Sequence, residues 1–165
     1  MLLLISDANI LIDMESGELM GRLFRLPMQF AIPDVLYWEE IELGTPGLQA
    51  QGLQILEVTS EYVQYAFALQ QKYGSALSLN DHLALALAKQ EGCPLLTGDH
   101  QLKVVAQAEN VSVMGTVWLL RRMIEHRLLK VDESLAALAL MKAGKRRLPW
   151  ADAERILNAM RLGFE

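Results

Sequence analysis

Five short apolar runs, separated by stretches with helical spacing, constrain this chain more than any other feature. The runs are Leu2–Ser6, Phe30–Ile32, Leu53–Val58, Leu95–Thr97 and Val111–Val113. The first is continuously apolar as far as Ser6, which suits a strand buried on both faces. Between the runs, Leu19, Leu23 and Leu26 recur at helical spacing, and Pro33 is placed to open a helix to about Leu43. Thr59 or Ser60 can cap a helix to about Tyr73. The stretch from about Asp81 to Glu91 contains LALALA, apolar on nearly every side. A globular protein accommodates such a helix between its sheet and another element. Strands alternating with helices imply a parallel sheet covered on both faces. Right-handed crossovers place every strand-to-helix junction on one edge. The expected fold is α/β, a three-layer α/β/α sandwich around a central parallel sheet of four or five strands.

No strand signal follows Val113. Val131–Lys142 and Trp150–Met160 read as two further helices, joined by a loop carrying Lys142, Lys145, Arg146 and Arg147. The expected organisation is a core over 1–127 and a helical extension over 128–165 packed on it. With 52% hydrophobic and 21% charged residues the chain is globular, not disordered. Its slightly positive mean hydropathy suggests an extra buried surface such as a homodimer interface, expected around Leu36, Trp38 or Ile41. A net charge of -5 argues against a protein that coats nucleic acid and leaves room for a local basic patch. The single cysteine, Cys93, precludes an intrachain disulfide and suits a reducing compartment. No run is long and apolar enough to span a membrane, and the first residues lack a basic leader. The expectation is a soluble cytoplasmic protein.

The carboxylates carry the chemistry. Asp7 and Asp99 stand at two strand-to-helix junctions, Asp81 opens the helix before the fourth strand, and Glu40 lies in the helix after the second. Four acids distant in sequence can therefore converge at one sheet edge. Clustered carboxylates repel and raise one another's pKa values. A hard divalent cation relieves that repulsion, and Mg²⁺ prefers oxygen ligands. Such an ion lowers the pKa of an attacking water and offsets charge on a phosphoryl oxygen, which suggests phosphodiester hydrolysis. The plainer role for Asp7 and Asp99 is capping the helices that follow them. A dinucleotide fingerprint and a phosphate-binding loop are both missing, so no nucleotide cofactor is expected.

The acids also sit in recognisable motifs. SDANILID, with Asp7 and Asn9, resembles the first motif of the PIN-domain ribonucleases. DVLYWEEI resembles the second, with Glu40 before Ile41 and Glu39 as the alternative acid. SLNDHLALALAKQEG resembles the third through Asp81, and LLTGDHQL the fourth through Thr97, Gly98 and Asp99. The resemblance runs in order from Leu2 to about Glu125. It implies a ribonuclease that uses Mg²⁺, or Mn²⁺ as a substitute, bound by Asp7, Glu40, Asp81 and Asp99. It also implies kinship with VapC-like toxins of type II toxin–antitoxin pairs, hence an RNA substrate, a protein antitoxin and a homodimer. The two added C-terminal helices depart from the shorter family toxins.

Other residues have two readings each. Asn9, Ser78 and Thr97 are candidates for positioning substrate, against roles as a turn residue, a helix cap and a strand-end hydroxyl. His82 approaches the site or is a surface or helix-terminal residue. Arg121, Arg122, Arg127, Lys130 and the four cations of the 142–147 loop contact phosphates or form a solvated face. Two rival functions remain. In an aspartyl phosphotransferase or phosphatase Asp7 is the nucleophile, with Asp13 and Lys103 as poorly suited helpers. The other is a PIN-like RNA-binding module without catalysis.

Overall fold

In the computed structural model, which describes residues 1–164, β1 (Leu2–Ser6) leads into α1 (Ala8–Ser16) and a short α2 (Met20–Leu23). Next come β2 (Met28–Pro33), α3 (Asp34–Leu36), a π-helical turn over Tyr37–Ile41, and α4 (Leu48–Gln51). β3 (Gln54–Leu56) precedes two long helices, α5 (Ser60–Tyr73) and α6 (Leu79–Glu91). β4 (Leu95–Leu96), α7 (His100–Ala108), β5 (Val113–Met114) and α8 (Thr116–Glu125) complete the alternation. The chain continues through α9 (Val131–Ala143), α10 (Trp150–Ala159) and α11 (Arg161–Phe164). Among the described residues no helix is long and apolar enough to cross a membrane.

All five strands are parallel, in the order β3-β2-β1-β4-β5. β1 is central, which explains its unbroken apolar run. Successive side chains alternate between the sheet's faces. Leu4, Phe30, Ile32 and Leu96 enter one core with α1, α8, α9 and α10. Ile5, Ala31 and Leu95 enter the other with α5, α6 and α7. These are the three layers of an α/β/α sandwich. Residues Leu83 to Ala88 of α6 are all buried, as its apolar circumference requires.

Several boundaries differ from expectation. β5 lies over Val113–Met114, two residues later than its apolar run begins. Val111 is buried, but its amide bonds the Ala106 carbonyl and completes the end of α7. The helix after β2 is not one continuous α-helix. Pro33 closes the strand, and the backbone widens into i→i+5 bonding, with the Glu42 amide on the Tyr37 carbonyl. Leu36 and Ile41 are core residues, while Trp38 is 58% exposed.

The two C-terminal helices share a core with the sheet: Ala137, Leu138 and Met141 of α9 and Ala153 and Leu157 of α10 are buried with Leu4 and Leu11. α9 runs close to the end of α1. A Cβ on Gly17 would lie 2.7 Å from Met141 Cε, the mobile end of that side chain, and in ordinary contact with Ala137.

Candidate active site

Parallel strands bring their carboxyl ends to one edge, and β1 and β4 are neighbours there, with Ser6 opposite Leu96. The chain leaves β1 at Asp7 and β4 through Thr97 and Gly98 to Asp99. Asp7 is the N-cap of α1 and takes the Ile10 amide on Oδ1 at 3.0 Å. Its Oδ2 accepts from Thr97 Oγ1 at 2.5 Å. The same Thr97 oxygen accepts the Asp99 amide at 3.1 Å, and Asp99 caps α7 by accepting from the Leu102 amide at 3.0 Å. Capping and site placement are thus one arrangement, since both acids must stand at helix starts to reach this edge.

Asp7 is only 2% exposed. Burial pushes its carboxyl up to about 6, against the donors Thr97 and Ile10, and the negative fields of Asp81 and Asp13 add to the rise. Asp81 belongs to a capping box at the start of α6: its Oδ2 accepts the Ser78 amide at 2.9 Å, and Ser78 Oγ accepts the Asp81 amide at 3.2 Å. The π turn carries Glu39 and Glu40, and Asn80 Nδ2 donates to both, at 2.8 and 3.3 Å. Desolvation raises the Glu40 pKa, and the charges of Asp81 and Glu39 add to it against the Asn80 donor. Asp81 is therefore felt by both Asp7 and Glu40, while Asp99 is joined to Asp7 through Thr97. π turns are frequent at functional sites.

The set is all oxygen, the donor chemistry a hard divalent ion prefers. Asp7 is buried with neutral donors and like charges about it, which a cation would relieve. Each acid is held by a local donor, however, and among the described residues no three His, Cys, Asp or Glu side chains are grouped closely enough to hold a metal ion.

Asp13 and Arg146 were not legible as partners. Asp13 is buried, accepting from Thr116 Oγ1 at 2.8 Å and from Arg146 Nε at 2.7 Å. Arg146 Nη2 also donates to Asn9 Oδ1 at 3.2 Å and to the Asn9 carbonyl at 3.4 Å. A cleft of about 340 Å³ adjoins this pair, lined by Asn9, Asp13, Gly98 and Asp99 together with Lys145, Arg146 and Arg147. The only sequence signal was the basic loop itself; its target lies 133 residues away. Asn80 likewise gave no sign of its two partners, Glu39 and Glu40, about 40 residues earlier. His82 is not at the surface: it lies in the first turn of α6, fully buried, and among the described residues neither ring nitrogen has a hydrogen-bond partner. Burial lowers its pKa despite the neighbouring Asp81.

The chain matches the model of the DUF3368 family, described as a PIN domain, over residues 3–161. The comparison with curated proteins finds no match. One solved chain that it resembles is described as "Toxin-antitoxin complex from Klebsiella pneumoniae". That chain is 28% identical, with 60% of this chain and 88% of that one covered and a TM-score of 0.48.

Proposed function

The chain belongs to the PIN-domain family, and from that membership we propose that it is a metal-dependent endoribonuclease that hydrolyses RNA phosphodiester bonds as the toxin of a toxin–antitoxin pair. The observation that carries this reading is Asp7. It is a buried carboxylate with its pKa raised to about 6, at the central strand's carboxyl end and within the fields of other acids.

Asp7, Glu40, Asp81 and Asp99 are the proposed holders of Mg²⁺, or of Mn²⁺ in its place. When bound, the ion supplies a Lewis acid for the phosphoryl oxygen and a more acidic water. Thr97 fixes the Asp7 carboxylate by its hydroxyl proton and ties it to the Asp99 amide. Asn80 holds Glu39 and Glu40 together, and both remain candidates for the second acid. Asn9, Ser78 and Thr97 are the proposed positioning residues. The nuclease core is 1–127 in this reading, with 128–165 as its extension. An antitoxin is the protein partner, and exposed Trp38 is the starting point for a homodimer contact.

Melting with and without Mn²⁺, together with cleavage of a single-stranded RNA panel, tests the proposal. Wild type should gain stability with the metal and cut RNA only with it, and Asp7→Asn should do neither. Cleavage in chelator, or none with either metal, overturns it. A non-catalytic RNA-binding module is the second reading, favoured by the engagement of Asp81 and Asp99 with their own helices' amides. RNA binding without metal-dependent cleavage would select it. Asp7 as a phosphotransferase nucleophile is disfavoured, because its helper Asp13 is taken up by Thr116 and Arg146.

A further inference from the structure

We infer that Lys145 and Arg147 form a clamp for an RNA phosphate flanking the acidic edge, and that Arg146 is the anchor that positions them. The inference rests on the reading of the ligand as RNA. Its first support is the division of labour among three consecutive cations. Arg146 is consumed within the protein, by Asp13 and Asn9. Lys145 and Arg147 are exposed, line the same cleft as Asp99, and have no ion-pair partner among the described residues. With Arg146 and Asp13 paired with each other, the cleft keeps two cations unpaired among the described residues, Lys145 and Arg147, beside Asp99.

The second support is the backbone. Past the end of α9, the Lys145 amide bonds the Lys142 carbonyl and the Arg146 amide bonds the Met141 carbonyl. This is a Schellman closure with Lys145 in the left-handed position, at φ 61°. Glycine is the usual residue there, because it lacks the Cβ that is crowded in that conformation. Gly144 precedes it at an ordinary φ of -78°, so the glycine is one position early and the lysine carries the strain. The closure fixes where Lys145 leaves α9 at the rim of the cleft; Glu18, Asn110 and Arg127 take the same left-handed conformation, so the strain itself marks no special use. On a chain of net charge -5, RNA affinity requires such a local site.

Binding of a labelled single-stranded RNA, measured in chelator over a range of salt, tests the clamp. Compared with wild type are Lys145→Gly, Arg147→Ala, the double variant, and Arg155→Ala as a charge control on exposed α10. The double variant should bind at least about tenfold more weakly at low salt. Its slope of log affinity against log salt should be shallower by roughly 1.4, two contacts at about 0.7 each. Lys145→Gly should melt no lower than wild type, since it relieves the left-handed strain, so a binding loss cannot be assigned to unfolding. Arg155→Ala should keep the wild-type slope. An unchanged slope in the double variant, with wild type still cutting RNA in Mn²⁺, overturns the clamp alone. The clamp's slope change without any metal-dependent cleavage overturns the nuclease and leaves the clamp. No RNA binding by wild type overturns both.

Discussion

Thr97 Oγ1 gives its one proton to Asp7 Oδ2 and takes the Asp99 amide in return. One hydroxyl on β4's exit therefore couples the acids that end two adjacent strands. It does not neutralise Asp7, whose carboxyl remains raised to about 6 by burial first and by the charges of Asp81 and Asp13 as well.

That shift fixes the sign of a pH effect. Between 3.8 and about 6 the folded protein holds a proton on Asp7 that the unfolded chain has released. Stability from this group is full below pH 3.8 and is lost as pH rises through 6. The loss is on the order of 1–3 kcal/mol. In chelator, the wild-type melting temperature should carry a falling component over that window, and Asp7→Asn should remove it and melt higher at pH 7. An Asp7→Asn protein less stable than wild type at pH 7 would contradict the assignment.

Asp99→Asn separates capping from metal chemistry. The asparagine carbonyl still accepts the Leu102 amide, and asparagine caps as well as aspartate. Metal-free melting should stay within about 0.5 kcal/mol of wild type. The Mn²⁺-induced shift and RNA cleavage should both fall sharply, because the site loses a charge. Retention of the full metal shift and of cleavage would remove Asp99 from the site.

His82→Leu should stabilise the protein. Both ring nitrogens are buried without a partner, and each such group costs about 1–3 kcal/mol. A leucine of similar volume fills the space between Leu83 and its neighbours without that cost. A drop in melting temperature would mean that the imidazole has a partner, such as a buried water.

Glu109 governs stability in acid. Tyr65 and Tyr73 donate to its carboxylate at 2.5 and 2.8 Å and Lys72 at 3.2 Å. These hydrogen bonds, led by Tyr65, pull its pKa down to about 2. Its contribution is present above pH 4.5 and is lost as pH falls toward 2. Glu109→Gln should cost about 1–3 kcal/mol at pH 7. The difference from wild type should close below pH 3. Equal melting of the two proteins at pH 7 would refute the network's importance.

Much of the fold was legible because its signals are local. The unbroken apolar run before Ser6 marked a central strand, and LALALA marked a helix buried on all sides. Asp7 and Asp99 were legible for the same reason, as polar residues directly after such runs. β5 was displaced because Val111 is apolar for another purpose, closing α7, and burial alone does not distinguish the two. The π turn was invisible because i→i+5 bonding over five residues leaves no period in the side chains. His82 misled because a histidine beside a helix start usually faces solvent. Arg146 could not be assigned to Asp13 at all: an ion pair between a helix and a loop far apart in the chain has no trace in either segment.

The Asp13–Arg146 pair also sets an order of events during synthesis. Every strand has been made by Met114, while the basic loop waits for Arg146, 32 residues later by subtraction (146 − 114). At translation rates of about 5–20 residues per second this is a lag of roughly 2 to 6 s. The core against which α9 and α10 pack is also open until they emerge, so the basic loop and that face of the sheet are completed together.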